Sequence, residues 1–415
     1  MNKETNKWIP ELRFPEFAKS AAWEETTLEN ISPAIFDGTH QTPKYTEEGI
    51  PFFSVENLVS GNRNKFISRE DYLLATSKNK PEKGDVLITR IGNIGFSTVV
   101  DWDYEFSIYV TLAVIKQSDK FISHYLNGYF QSNFYQKEIR SKSLLNAVPM
   151  KINMEELRKT KVLLPPDKFE QQKIASCLSS LDEVIEAQNK KLELLKDHKK
   201  GLMQNLFPQE GEKVPNYRFP EFENDGEWEE KSLGEIGEII TGNTPSTSEP
   251  ENYGGDRLFV SPADINNNRF ITQTKTTLTE LGFSKTRHIQ ENSVLFVCIG
   301  STIGKVAQNK IECATNQQIN SIVPNKNYVS DFLYSILENS VSQIATLAGN
   351  QAVPIINKSL FSSVKLFFPT IEEQKKIANC LLSLDEQIET QTQKVAQLKQ
   401  HKKGLMQGLF PKIND

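Results

Sequence analysis

Apolar residues step by four and three alternately through two stretches of the chain. Ile174, Leu178, Leu181, Ile185, Gln188, Leu192, Leu195, Lys199, Leu202 and Leu206 follow this spacing. So do Ile377, Leu381, Leu384, Ile388, Gln391, Val395, Leu398, Lys402, Leu405 and Leu409. A mean period of 3.5 predicts two long helices that pack as a coiled coil. A helix of about 36 residues is about 54 Å long. Prolines stand just ahead (Pro165, Pro166, Pro369) and just behind (Pro208, Pro411), where helices tolerate or need them. Asp167 before Glu170, and Thr370 before Glu373, predict capping boxes.

The two stretches are copies. Glu170 to Pro208 aligns without a gap with Glu373 to Pro411 at an offset of 203, and 27 of 39 positions are identical. Gln188 and Gln391 fall at equivalent seam positions. A tolerated polar residue is one reading. The sharper one is a register-fixing amide pair, close together if the helices run antiparallel. Lys199 and Lys402 are expected to snorkel from the seam ends. Gly201 and Gly404 mark either a close approach of a partner backbone or a fraying end.

A second echo lies upstream. Arg13-Phe14-Pro15-Glu16-Phe17, Trp23, Leu28 and Ile31 return as Arg218-Phe219-Pro220-Glu221-Phe222, Trp228, Leu233 and Ile236. Between the markers the units diverge, with local echoes at Gly84–Ile88 and 292–296, at Ile91–Gly95 and 300–304, and at 146–149 and 351–354. These β-branched runs, punctuated by Gly and Asn, read as strands and turns. The expected fold is α+β: two α/β recognition domains joined by two long helices forming an antiparallel coiled coil. The expected boundaries are 1–165 for the first domain, 166–208 for the first helix and 209–217 for a linker. The second domain takes 218–368 and the second helix 369–411.

Composition narrows the function. Hydrophobic residues make up 38% and charged residues 24%, enough for a core and a soluble surface. No apolar run is long enough for a membrane span, and the polar Met1–Lys7 start argues against a secretory signal. The four cysteines, Cys177, Cys298, Cys313 and Cys380, lack metal or disulfide spacing, so reduced thiols in a cytoplasmic protein are expected. The net charge of −5 counts against a nucleic-acid binder, although phosphates feel a local patch more than a total.

No catalytic constellation stands out. Gly300 to Lys305 resembles a phosphate loop, but it is one residue short and Val306 replaces the Mg²⁺-binding hydroxyl residue. The histidines are scattered; His198 and His401 sit near helix C-termini, where the dipole favours them. Groups able to read base edges do cluster. In the first unit they are Thr39, His40, Thr42, Lys44, Arg63, Arg90 and Asn93. In the second they are Asn243, Thr244, Ser246, Arg269, Asn316, Gln317 and Gln318, with Asn266-Asn267-Asn268 beside Arg269. Solvated polar loops are the plain alternative for any one of them. Both units, however, place such a loop just after the shared Trp/Leu/Ile segment.

The duplicated Glu-Gln-x-Lys-Ile-Ala helix with its Lys-Lys-Gly-Leu-Met-Gln-x-Leu-Phe-Pro ending resembles the DNA-specificity (S) subunit of type I restriction-modification systems. The Arg-Phe-Pro-Glu-Phe openings, Asp37 to Tyr45, and Val260 to Ile265 resemble it too. The resemblance implies a non-catalytic chain that reads a bipartite, asymmetric site in double-stranded DNA, one half per domain. It implies two methylase (M) and two restriction (R) subunits as partners. S-adenosylmethionine, ATP and Mg would belong to those partners, with no cofactor or metal in this chain. A coiled-coil scaffold pairing two β-rich ligand- or carbohydrate-binding domains is the alternative from another class.

Overall fold

The computed structural model describes residues 8–144, 146–266, 268–349 and 353–412; Asn267 and the 351–352 part of the second Ala-Val-Pro echo lie outside them. The fold is α+β. Two unbroken helices, Lys168–Leu206 and Ile371–Leu409, carry the repeated sequence. They run antiparallel. The chain divides into two compact units, residues 1–187 with 395–415, and residues 188–394. Each long helix therefore gives one half to each unit.

In the first unit the strands Ile35–Asp37, Leu112–Ile115, Val86–Thr89 and Ser97–Val99 form an antiparallel sheet in that order. A second sheet runs Tyr45–Thr46, Phe66–Ile67, Ile50–Phe53, Ser107–Ile108, with its last pair parallel. The second unit repeats the first order as Gly237–Thr241, Ile319–Pro324, Val294–Val297 and Val306–Asn309, and adds Phe270–Ile271 at the edge. Its other sheet runs Thr276–Leu278, Tyr253–Val260, Cys313–Thr315, His288–Ile289. The central strands Val86–Thr89 and Val294–Val297 are buried at every position, as near-continuous apolar runs require. The glycine echo is conformational: Gly92, Gly95, Gly300 and Gly304 all take positive φ, between 85° and 93°, which costs a side-chain-bearing residue dearly.

The helix starts are anchored by a buried ion pair. Glu170 accepts two bonds from Arg13, both 2.7 Å, and one from Trp23 Nε1 at 3.2 Å. Glu373 accepts from Arg218 at 2.8 and 2.7 Å. Each glutamate side chain is 1% exposed and each arginine 7%. Two further guanidinium protons of each arginine go to carbonyls, of Ser20 and Ala21 or of Asp225 and Gly226. Its bonds to Glu373 hold Arg218 above the usual arginine pKa, against the effect of burial. This corrects half of the capping-box expectation. Asp167 and Thr370 do accept from first-turn N–H groups, but the glutamates turn to arginine, because a buried carboxylate needs a charged bidentate partner. Next to each glutamate, Gln171 accepts the N–H of Ile122 and Gln374 that of Val329, both at 3.0 Å.

The helix ends plug the cores. Phe410, closing the second helix, packs on Trp23, Tyr125 and Tyr129 of the first unit, with ring centroids 5.8–6.2 Å apart. Phe207, closing the first, packs on Trp228 and Phe332 of the second. Each domain thus grips the start of one helix and the end of the other.

Along the seam, Ile174, Leu178, Ile185, Leu192, Ile377, Leu381, Leu384, Val395 and Gln391 are buried. Leu181, Gln188, Leu195, Ile388 and Leu398 are half-buried. Gln391 Nε2 donates to the carbonyl of Gln188 at 2.8 Å and to its Oε1 at 3.0 Å. Lys199 does not snorkel. It is buried between Glu338 and Asp385, each 2.7 Å away. Lys402 reaches Asp182 at 2.6 Å. Among the described residues, a Cβ added at Gly201 or Gly404 would meet nothing within 4 Å beyond its own helix backbone.

No helix among the described residues is long and apolar enough to cross a membrane. The four cysteines are free, and burial pushes the Cys298 and Cys313 thiols up to about 12, so they stay protonated. Removing one partner of the anchor should cost more than removing an exposed pair. Glu373→Ala, which strands a buried Arg218, is expected to lose about 3–5 kcal/mol in denaturant unfolding. Lys365→Ala, which breaks only the exposed pair with Glu230, should lose about 0–1 kcal/mol.

Candidate nucleic-acid interface

Both domains build one platform from the same backbone. After the strand that follows the Leu/Ile segment, the chain turns at a glycine pressed against a second turn. A Cβ on Gly38 would lie 2.0 Å from the carbonyl oxygen of Ile108, and one on Gly242 2.2 Å from that of Thr315. Only glycine permits this approach. The turns beneath also match: Leu112 N bonds Tyr109 O at 2.9 Å, and Ile319 N bonds Asn316 O at 3.2 Å. Loop 39–44 therefore lies on 109–111, and loop 243–247 on 316–318.

On this common backbone the side chains differ. In the first unit Thr42 Oγ1 and the Tyr109 hydroxyl are 3.1 Å apart, and His40 lies 3.2 Å from Asp37. Thr39, His40, Gln41, Thr42 and Lys44 line a cleft of about 660 Å³ together with Lys78 and Asn79. Asp37 and Asp71 line it as well, so it is polar and of mixed charge. In the second unit Thr244 Oγ1 donates to Gln317 Oε1 at 2.7 Å. Asn316 Nδ2 donates to Gln318 Oε1 at 3.0 Å. Asn243 donates to the carbonyl of Lys285 and accepts the N–H of Arg287. Ser246 bonds Ser248. These bonds fix the two turns against their neighbours and leave Thr244, Ser246 and Gln317 exposed at the rim.

Four sequence candidates fall elsewhere. Arg63 is exposed and stacks over Trp102, 4.8 Å from the ring centroid, and over Tyr104. Asn93 is exposed in the glycine turn, where its carbonyl accepts from Thr89. Arg90 and Arg269 are internal, and the base-reading expectation is corrected for both. Arg90 is 9% exposed in its side chain and pairs with Asp37 at 2.8 Å while donating to the carbonyl of Val110 at 3.0 Å. Burial pulls its pKa below the ordinary arginine value, against the attraction of Asp37. Arg269 is 4% exposed and pairs with Asp331 and Asp385. Both guanidinium groups already face carboxylates, so reaching DNA would strand buried charge. Two residues escaped the sequence reading. Tyr109 sits in an apolar stretch with no polar signal, and exposed Arg287, whose side chain donates to the carbonyl of Thr241, is one cation in an ordinary polar run.

The comparisons with known proteins agree with this duplicated architecture. Residues 21–197 and 225–400 both match the type I restriction modification DNA specificity domain. The chain belongs to the type I restriction-modification specificity family. The putative type I restriction enzyme MjaX specificity subunit of Methanocaldococcus jannaschii is 25% identical over 92% of each chain. The type I restriction enzyme HindI specificity subunit of Haemophilus influenzae is 37% identical, over 37% of this chain and 35% of that protein. Among solved structures, the type I system S subunit from M. genitalium has a TM-score of 0.66 at 16% identity, covering 98% of this chain and all 100% of that one. A chain from a structure concerned with complex assembly and conformational transition of the type I system has a TM-score of 0.54 at 16% identity. The chain is thus a specificity subunit whose two halves are target-recognition domains.

The glycine approach generates a test. Gly242→Ala should push loop 243–247 off its turn and lower the thermal midpoint, whereas Gly201→Ala should leave it unchanged or raise it, because Ala is favoured over Gly by about 1 kcal/mol inside a helix. Equal midpoints for the two variants would contradict the packing described.

Proposed function

We propose that this specificity subunit addresses a type I restriction-modification complex to a bipartite, asymmetric DNA site. Each recognition domain reads one half-site with the rim of its platform. The helix pair sets the spacer and docks two methylase subunits, and two restriction subunits complete the assembly. S-adenosylmethionine, ATP and Mg chemistry resides in those partners. One observation carries the reading: the two platforms share a backbone, down to the glycine that touches its turn, yet present different side chains. Thr39, His40, Thr42 and Lys44 supply one set, and Asn243, Thr244, Ser246 and Gln317 the other. One chain thus does what a symmetric dimer does with two half-sites, without requiring a palindrome. The resemblance to a chain from a type I complex-assembly structure supports the partners. They also supply phosphate contacts that an acidic chain lacks.

Exchanging residues 20–160 for those of another specificity subunit should change one half-site and leave the other intact, as read from methylated motifs in the host genome. A change in both halves refutes the modular reading. Adding one heptad to each long helix, about 10.5 Å, should widen the spacer by about 3 bp at 3.4 Å per step. An unchanged spacer refutes the ruler.

A further inference from the structure

The two units differ in how the recognition domain is tied to the helices. In the second unit a chain of alternating charge passes through both helices and the domain. Lys199, on the first helix, lies 2.7 Å from Glu338 of the domain and 2.7 Å from Asp385 of the second helix. The other oxygen of Asp385 accepts from Arg269 at 3.0 Å. Arg269 also donates to Gln308 at 2.6 Å, pairs with Asp331, and stacks over Tyr334 with its guanidinium carbon 4.3 Å from the ring centroid. The linking side chains are 4% (Arg269), 11% (Lys199) and 14% (Asp385) exposed. Although burial opposes it, attraction to Glu338 and Asp385 keeps Lys199 above the usual lysine pKa.

The first unit holds only the helix-to-helix part. Asp182 and Lys402 are the repeat equivalents of Asp385 and Lys199, and they pair at 2.6 Å with Asp182 54% exposed. Domain helix Ser123–Phe130 corresponds to Ser330–Asn339, because Gln171 and Gln374 accept the N–H just before each. On that match His124 stands where the second unit has Asp331, and Gln131 where it has Glu338. Among the described residues no carboxylate of the first domain reaches Lys402. Asp182 and Lys402 thus repeat the charges of Asp385 and Lys199, and among the described residues only the second domain supplies charges that complete them.

We propose that Asp385 and Arg269 are positioning residues that fix the angle of the second recognition domain on the helix pair, and so make the register of its half-site strict. Charged bonds of fixed geometry resist rotation more than apolar contacts, which slide. Asp385 is the informative position. Without it, Lys199 keeps Glu338 and Arg269 keeps Asp331, so no buried cation is stranded and the variant folds.

The inference rests on the ruler reading above, and the test separates the two. The assembled complex with its methylase would be given duplexes carrying both half-sites, with the spacer correct or one base pair longer or shorter. Wild type methylates the correct spacer preferentially. Asp385→Asn should raise methylation of the off-length duplexes relative to the correct one by about tenfold, with base preference within each half-site unchanged. Asp385→Glu, which keeps the charge, should restore most of the discrimination, and Asp182→Asn should change it less than about twofold. Amide hydrogen exchange provides a second measurement: Asp385→Asn should speed exchange in Ser330–Asn339 and leave Ser123–Phe130 as in wild type. Wild-type indifference to spacer length would sink the ruler itself. Wild-type discrimination retained in Asp385→Asn, or methylation lost equally at all spacers, would overturn the positioning role alone.

Discussion

Two helices of nearly the same sequence can share a seam in two directions, and their charges choose between them. Packed parallel and in register, Lys199 would face Lys402, and Asp182 would face Asp385. Packed antiparallel, each lysine meets the aspartate of the other copy, and Gln188 meets Gln391 on the seam. Like charges at close range destabilise, and opposite charges partly screened from water attract. An amide pair in a heptad seam further rewards the single register in which both members find a partner.

Direction then dictates how the domains are held. Because the helices run oppositely, the start of one lies in the same unit as the end of the other. Each recognition domain closes on a Glu-Gln start through the arginine of its opening segment, and on a Leu-Phe-Pro end through its aromatic core. The repeated sequence is therefore spent on attachment. A buried carboxylate with two guanidinium bonds tolerates little rotation, and a phenyl ring inside a core tolerates little translation.

Specificity is left to what the attachment does not use. The platform backbone is held by a glycine that must touch its turn, so loop position is common to both domains and side-chain identity is free to differ. The net charge of −5 is compatible with the proposed reading, since base edges are read by a few polar groups while phosphate contacts carry no sequence information. Among the described residues the recognition domains are also attached unequally, the second with a charged relay from Arg269 and Glu338 into the helices and the first without its counterpart.

Periodicity and duplication were legible in the chain itself: the 3.5-residue seam, the two copies of one helix, the strand-and-turn runs at 84–88 and 292–296, and the loops that follow the Trp/Leu/Ile segment. These are local patterns, and a heptad or an apolar run has the same meaning wherever the chain carries it. Partnership across the fold was not legible. Arg13 and Glu170 are 157 residues apart, and nothing nearby marks Glu170 as an anchor in preference to a cap. Arg90 and Arg269 have the composition of base readers, but burial beside Asp37, Asp331 and Asp385 commits them to the interior. Tyr109 and Arg287 gain their place beside the loops only when distant strands pair. Local spacing decided which elements form. Tertiary structure decided which charges are buried and with whom, because the desolvation that makes a charge structural depends on the whole surrounding fold.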